Sequence, residues 1–525
     1  MEPPREHHQR KWEFVMDRRV FLKSAAFAGF SIATLPATLL RASADGSKIL
    51  RMAYGAEVLT LDPIKTTYGA DILIQGMMYA RLLHANADRT EVGPGLAESW
   101  DIADDDKTYT FHLREAKFSD GSPITAEDVA FSWNRMRFQK DSAYAAPFQP
   151  LTKIEAKDAR TVVMTLDRKF TPFLTLTEIW NTGIVPKAAV EKMGDDAFAK
   201  APVTSGPFKF VELKPGDRVV LGRNEHYYRK GEPKIDGVEF RYVPDDNTRV
   251  SMLQAGELDV CLGVPAPRMA ELKAAGFRAD PEPSSTTYDM LINHSAEPFN
   301  DLKFRQAVSY GIDRTAINAA VTLGLGTPAS SIMSPTLDFF DKSLPVIARD
   351  VEKAKALLAE SGKTGASFEL IQNAGSADEE KAAVLIQAQL AEVGITVNIA
   401  KIDSTQAWTR LADGEYQAEM NWWYNETRDP DNALRWCVWG AGDNKSYYTR
   451  YNNETINKLI DEASGEADNA KRAELYAQIQ KTVVDEVAQV ALYHPTWLNA
   501  YAPSVKGLVL NVGLQFSSIG GTSLD

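Results

Sequence analysis

Residues 386–399 read IQAQLAEVGITVNI, and this stretch decides the fold class. Ile386, Leu390 and Val393 recur at the spacing of one helical face, and Gly394 offers the left-handed cap that stops a helix. Ile395, Val397 and Ile399 then alternate as a half-buried strand. A change of period across one glycine is a helix feeding directly into a strand. The same exchange recurs outward along the chain. Tyr109, Phe111 and Leu113 alternate, and Thr125 with Asp128 forms a capping box before the helical face of Val129, Trp133 and Met136. Val351, Ala354, Leu357 and Leu358 make a stripe closed by Gly362, and Leu475, Ile479 and Val483 line one face of a long helix. Short strands interleaved with amphipathic helices predict a mixed α/β protein.

At 525 residues the chain exceeds one ordinary hydrophobic core, so two or three domains are expected. Pro/Gly-rich joints at Ala201–Pro207 and Pro281–Ser285 mark candidate boundaries. Hydrophobic residues at 44% and charged residues at 25% belong to a soluble globular protein, and a net charge of −13 argues against a nucleic-acid binder. No H-E-x-x-H, C-x-x-C, G-x-S-x-G or phosphate-loop pattern occurs, and His84, His112, His226, His294 and His494 are scattered. No catalytic residue, metal site or cofactor is therefore expected. Cys261 and Cys437 read as two buried free thiols, although an oxidising compartment would permit a bridge.

The first 44 residues read as an address. Arg18-Arg19-Val20-Phe21-Leu22-Lys23 precedes an apolar run from Ser24 to Leu40, and Ala42-Ser43-Ala44 supplies a small-x-small cleavage site. This order is that of a secretory signal, and the paired arginines favour the twin-arginine route. Cleavage near Ala44 would leave 51 Lys/Arg against 67 Asp/Glu, a net charge of −16. No cysteine near residue 45 offers a lipid anchor, so a freely diffusing periplasmic protein is expected, monomeric and not inserted in the membrane after cleavage. Met16 is an alternative start.

The richest stretch for binding is Asn421-Trp422-Trp423-Tyr424-Asn425-Glu426-Thr427-Arg428-Asp429-Pro430-Asp431, followed by Arg435, Trp436 and Trp439. Aromatic faces bury much area with few rotatable bonds, and a carboxylate among them can pair with a ligand cation. Trp423, Tyr424, Asn425 and Glu426 are candidates for a cleft, whereas Trp422 and Trp436 read as core packing. Asp429 is a candidate ligand-binding residue that could equally brace the loop.

Ordered blocks extend over nearly the whole chain beyond the address. They run Thr60-Leu61-Asp62-Pro63, Pro94 to Trp100, Tyr109 to Arg114, Phe118 to Val129, Ser205 to Phe208, and Asn224 to Tyr228. Gln254 to Asp259, Phe304 to Val308, Ile312 to Arg314 and Asp429-Pro430-Asp431 continue the series. In this order they resemble the peptide/nickel class of ABC-transporter substrate-binding proteins, solute-binding family 5. Most of these blocks are scaffold that identifies the family without touching a ligand.

The resemblance implies a type II periplasmic-binding-protein fold of two lobes with an inserted third subdomain. Lobe I would combine residues 45–78, 205–293 and 498–525, the insert 79–204, and lobe II 294–497. A peptide, opine or other amine-bearing solute would be enclosed by hinge closure and handed to the permease subunits of the importer. In peptide-binding relatives an acidic residue three places before Asp-Pro-Asp holds the ligand's α-amino group, a position carrying Glu426 here. Dipeptide-binding relatives hold the ligand carboxylate with an arginine where this chain carries Asn373, which makes a simple dipeptide receptor doubtful. Tyr54, ending the first strand, and Tyr288 would reach the cleft from lobe I. The same fold binding chelated nickel or a haem-like ligand is the main alternative, and an exported hydrolase or a chaperone-like protein are others.

Overall fold

A computed structural model describes residues 46–86, 91–441, 446–516 and 518–525. The proposed signal segment lies outside the described residues. Lys48 to Asp525 pack as one unit built on two large sheets and a smaller inserted one.

The first sheet has the strand order Asn499–Tyr501, Val260–Leu262, Ile49–Tyr54, Gly237–Tyr242, Arg218–Arg223, Phe208–Lys214. Ile49–Tyr54 runs parallel to both neighbours, which places Tyr54 opposite Tyr242 at its carboxyl end. Leu50 and Met52 face one core and Ala53 the other, so this strand is covered on both sides. The inserted sheet is antiparallel, in the order Ala97–Ile102, Thr108–Leu113, Thr161–Leu166, Leu151–Ala156. Helix Ala126–Phe138 covers it, begun by the expected capping box: Thr125 Oγ1 accepts the Asp128 N–H at 3.3 Å and Asp128 Oδ2 accepts the Thr125 N–H at 2.9 Å.

The second sheet is ordered Thr327–Pro328, Val490–His494, Thr287–Ile292, Ala418–Trp423, Ser367–Asn373, Thr396–Ile402. Strand Thr287–Ile292, which the resemblance gives to lobe I, lies here, hydrogen-bonded antiparallel to Ala418–Trp423 and Val490–His494. The chain therefore crosses between sheets at the Pro281–Ser285 joint and crosses back between His494 and Asn499. The two crossings are pinned side by side: Glu282 and Trp497 exchange backbone hydrogen bonds of 2.9 and 2.8 Å. One face of the second sheet packs on helices Leu302–Gly311, Arg314–Thr322, Val351–Glu360 and Ala377–Val393. The other face meets residues of helices Ser404–Asp413, Asp431–Cys437 and Asn469–Asp485. Cys261 and Cys437 are both buried and unbridged. Among the described residues no helix is long and apolar enough to cross a membrane.

Candidate ligand site between the lobes

Strand Ala418–Trp423 is interior to its sheet and leads into the aromatic stretch. Alternation sends Glu419, Asn421 and Trp423 to one face and Met420 and Trp422 to the other. Trp422 is 43% exposed, stacked on Tyr424 at 6.0 Å and tilted to Tyr288 at 6.4 Å. Tyr288 in turn lies flat on Tyr493 at 5.0 Å. Trp423 is half-buried, edge-on to Trp436 at 5.5 Å and to Tyr447 at 5.1 Å. The exposed tryptophan is thus Trp422, which the sequence suggests as core, and Trp423 sits inside the aromatic cluster with its indole N–H unpartnered.

Beyond Trp423 the chain is held by its own polar groups. Ser285 Oγ accepts the Asn425 N–H at 3.0 Å, and its hydroxyl lies 2.6 Å from Asn425 O and 2.8 Å from Val512 O. Asn425 Nδ2 donates to the carbonyls of Thr427 (2.6 Å) and Asp429 (2.8 Å), which leaves its buried Oδ1 unpartnered. Asp429 receives Arg472 Nη2 at 2.8 and 3.1 Å and the Asp431 N–H at 3.0 Å. Burial pushes the Asp429 carboxyl up and Arg472 pulls it back, so this side chain is engaged as a brace. Its geometry matches the alternative role, anchoring the loop to helix Asn469–Asp485.

Glu426 is 2% exposed. Asn432 Nδ2 donates to its Oε2 and also to the Tyr144 hydroxyl, the latter at 2.7 Å. Tyr144 follows helix Ala126–Phe138, which covers the inserted sheet, and Asn432 stands on helix Asp431–Cys437 against the second sheet, so this contact ties the two parts together. Burial, and then the Glu426 charge, push the Tyr144 phenol well above its ordinary range. Tyr144 packs on Trp180 at 4.9 Å and edge-on to Trp436 at 6.1 Å, forming an aromatic wall beside the carboxylate. Tyr424 is raised by burial first and then by Glu426 and Tyr54; Tyr288 is raised by burial, then by Glu379, Asp378 and Tyr54. Tyr54 thus acts on both phenols, Tyr288 on strand Thr287–Ile292 and Tyr424 just past strand Ala418–Trp423, and its own ring tilts against Phe240 at 6.4 Å.

The structure brings Tyr54, Tyr288, Tyr424 and Glu426 into one neighbourhood. Asn373 is tied to Glu379, whose charge also reaches Tyr288. The Asn373 backbone N–H donates to Glu379 Oε2 at 2.7 Å and its Nδ2 reaches both Glu379 oxygens at 3.1 and 3.2 Å. Tyr144 and Asn432 lie beside Glu426 without any signal in the sequence, and Ser285, which holds the Asn425 backbone, is legible there only as the end of a joint. His294 and His494 are held neutral, each pushed down to about 4, mainly by burial, as packing groups. Among the described residues no His/Cys/Asp/Glu trio is placed to hold a metal ion.

The family model "Bacterial extracellular solute-binding proteins, family 5 Middle" matches residues 91–446. The dipeptide-binding protein of Escherichia coli K12 is 30% identical over 483 residues, covering 85% of this chain and 88% of the relative. Heme-binding protein A of Haemophilus influenzae is 29% identical over 494 residues, with 88% of each chain covered. Among solved structures, AgaA of A. tumefaciens R10 in complex with agropinic acid superposes with a TM-score of 0.82 at 28% identity, covering 91% of this chain and 99% of that one.

Proposed function

Since the chain belongs to the bacterial extracellular solute-binding proteins of family 5, we propose that it is the receptor of an ABC importer that captures an amine-bearing, peptide-sized solute between its lobes. The observation that carries this reading is Glu426: a 2% exposed carboxylate at the junction of the lobes, oriented by Asn432 and walled by Tyr144 and Tyr424. A buried carboxylate oriented by an amide and flanked by phenols can also accept charge-assisted hydrogen bonds from an ammonium group arriving with closure. Tyr54, Tyr288 and Trp422 add flat apolar area that accepts varied neighbouring groups. Asn373, tied to Glu379, brings a neutral amide to the position where the resemblance implies an arginine, which favours peptides longer than two residues, opines or other amines.

In this reading the protein releases its cargo chemically unchanged to the permease, works as a monomer in the periplasm, and reaches it through a twin-arginine signal cleaved near Ala44. The test uses the mature protein, freed of endogenous ligand, in calorimetric titrations against peptides, opines, haem and nickel chelates. An amine-bearing ligand is expected to bind and its N-acetylated form to lose at least a hundredfold in affinity, with Glu426→Gln producing the same loss. Equal binding of acetylated and free forms, preferential capture of haem or nickel, or recovery of an altered ligand would overturn the reading.

A further inference from the structure

On the underside of the second sheet lies a group of acceptors that no role above uses. Asp289 stands on the central strand Thr287–Ile292 and Glu419 on its neighbour Ala418–Trp423. The register sets Asp289 opposite Asn421 and Leu291 opposite Glu419, so the two carboxylates are diagonal neighbours on one face. Each is 2% exposed. Asp289 Oδ2 accepts Gln489 Nε2 at 3.1 Å, but Asp289 Oδ1, Glu419 Oε2 and the oxygen of Gln489, itself only 6% exposed, are unpartnered. Buried acceptors left unpartnered are rare and each costs free energy, so a gathering of them marks where a donor belongs.

All three orphaned atoms accept once the two carboxyls give up their protons to an arriving cation, and among the described residues neither carboxyl has an ion-pair partner. The cation that acts on Glu419 is Arg410, which is committed to Glu369 Oε1 at 2.5 Å. Burial, with Glu379 adding to it, pushes Glu419 up to about 8. Burial alone holds Asp289 well above the carboxylate range. The face above them is aromatic: Tyr447 donates to Asn421 Oδ1 at 3.3 Å and packs edge-on to Trp423. Trp423 packs on both Tyr447 and Trp436, and Trp436 packs edge-on to Tyr144, so one run of rings leads from this patch to the wall beside Glu426.

We propose that Asp289, Glu419 and Gln489 form a second subsite that receives the basic side chain, of guanidinium type, of a ligand whose amino group is held by Glu426. A guanidinium offers five donors in a planar fork, matches a pair of carboxylates, and stacks favourably against Trp423 and Tyr447. The subsite rests on the amine reading and narrows it to basic peptides and related amines.

The experiment compares four ligands on the mature protein by calorimetry: arginyl-alanyl-alanine, the neutral isostere citrullinyl-alanyl-alanine, and the N-acetyl form of each. Arginyl-alanyl-alanine is expected to bind at least tenfold tighter than citrullinyl-alanyl-alanine. Asp289→Asn with Glu419→Gln should reduce that ratio to below twofold while leaving the loss on N-acetylation intact. Equal affinity for the two free peptides in the unaltered protein overturns the subsite, even if the double variant fails to fold. If N-acetylation abolishes both, the amine reading survives that result. A retained arginine preference with no effect of acetylation overturns the amine reading and keeps the subsite. No binding of any of the four overturns both.

Discussion

At the scale of single residues, two buried carboxylates in one loop have opposite work. Asp429 is matched by Arg472, and removing one partner of such a buried pair strands the other. Asp429→Ala should therefore cost about 3–5 kcal/mol of unfolding free energy in denaturant titrations, while the preference for free over acetylated amines stays as it was. Glu419 gives a pH signature. Its carboxyl is pushed from 4.5 up to about 8, by burial first and Glu379 next, against weaker pulls from Arg410 and Asn421. The folded state thus keeps a proton that the unfolded state releases. Stability is undiminished below pH 4.5 and is lost as pH rises towards 8, by a total on the order of 4 kcal/mol. His294 and His494 act in the other direction: with folded values of about 4 against 6.5, they leave stability intact above 6.5 and erode it as pH falls towards 4. The ligand-free protein should accordingly lose stability between pH 6.5 and 8, and Glu419→Gln should flatten that limb while leaving the acid limb unchanged.

At the scale of elements, the strongest local signals were legible. The helix ending at Gly394 runs from Ala377, is capped by Ser376, and closes with Gly394 at φ 96 in the left-handed region that glycine alone enters freely. The strand that follows covers Thr396–Ile402. The capping box at Thr125 was equally readable because both halves of it sit three residues apart. Thr125→Ala should cost about 1 kcal/mol of stability, measured by denaturant unfolding, without altering ligand affinity. The phase of Trp422 and Trp423 was not readable. Their strand is interior, and its residues from Ala418 to Asn421 are buried on both faces, so apolar and polar positions do not announce a solvent side. Tyr144 was invisible for another reason: its partner Asn432 stands 288 residues away, and nothing local in the insert foretells that meeting. The family blocks made the two-lobe plan legible, whereas the capture site depends on which loops the plan brings together.

At the scale of the whole molecule, the two parts touch at several points. Besides the Tyr144–Asn432 contact, the Thr171 N–H donates to Ser464 O at 2.7 Å and its hydroxyl to Glu466 O at 2.8 Å. Each of these bonds is worth about 1 kcal/mol, and in the proposed mode of action bound ligand would supply the rest of the differential affinity between open and closed forms. Spin labels at one exposed site on the insert and one on helix Glu454–Gly465 should report two separations, long without ligand and short with it. The short one should keep the same value for ligands of different size. That constancy follows from the paired crossings at Glu282 and Trp497. Two threads stitched to each other behave like a strip of tape joining two book covers: the covers fold along one crease and resist shearing. On the proposed closure, bulkier cargo would be housed by the depth of the page recess rather than by leaving the book ajar, and a partner docking on the rim would meet one outline.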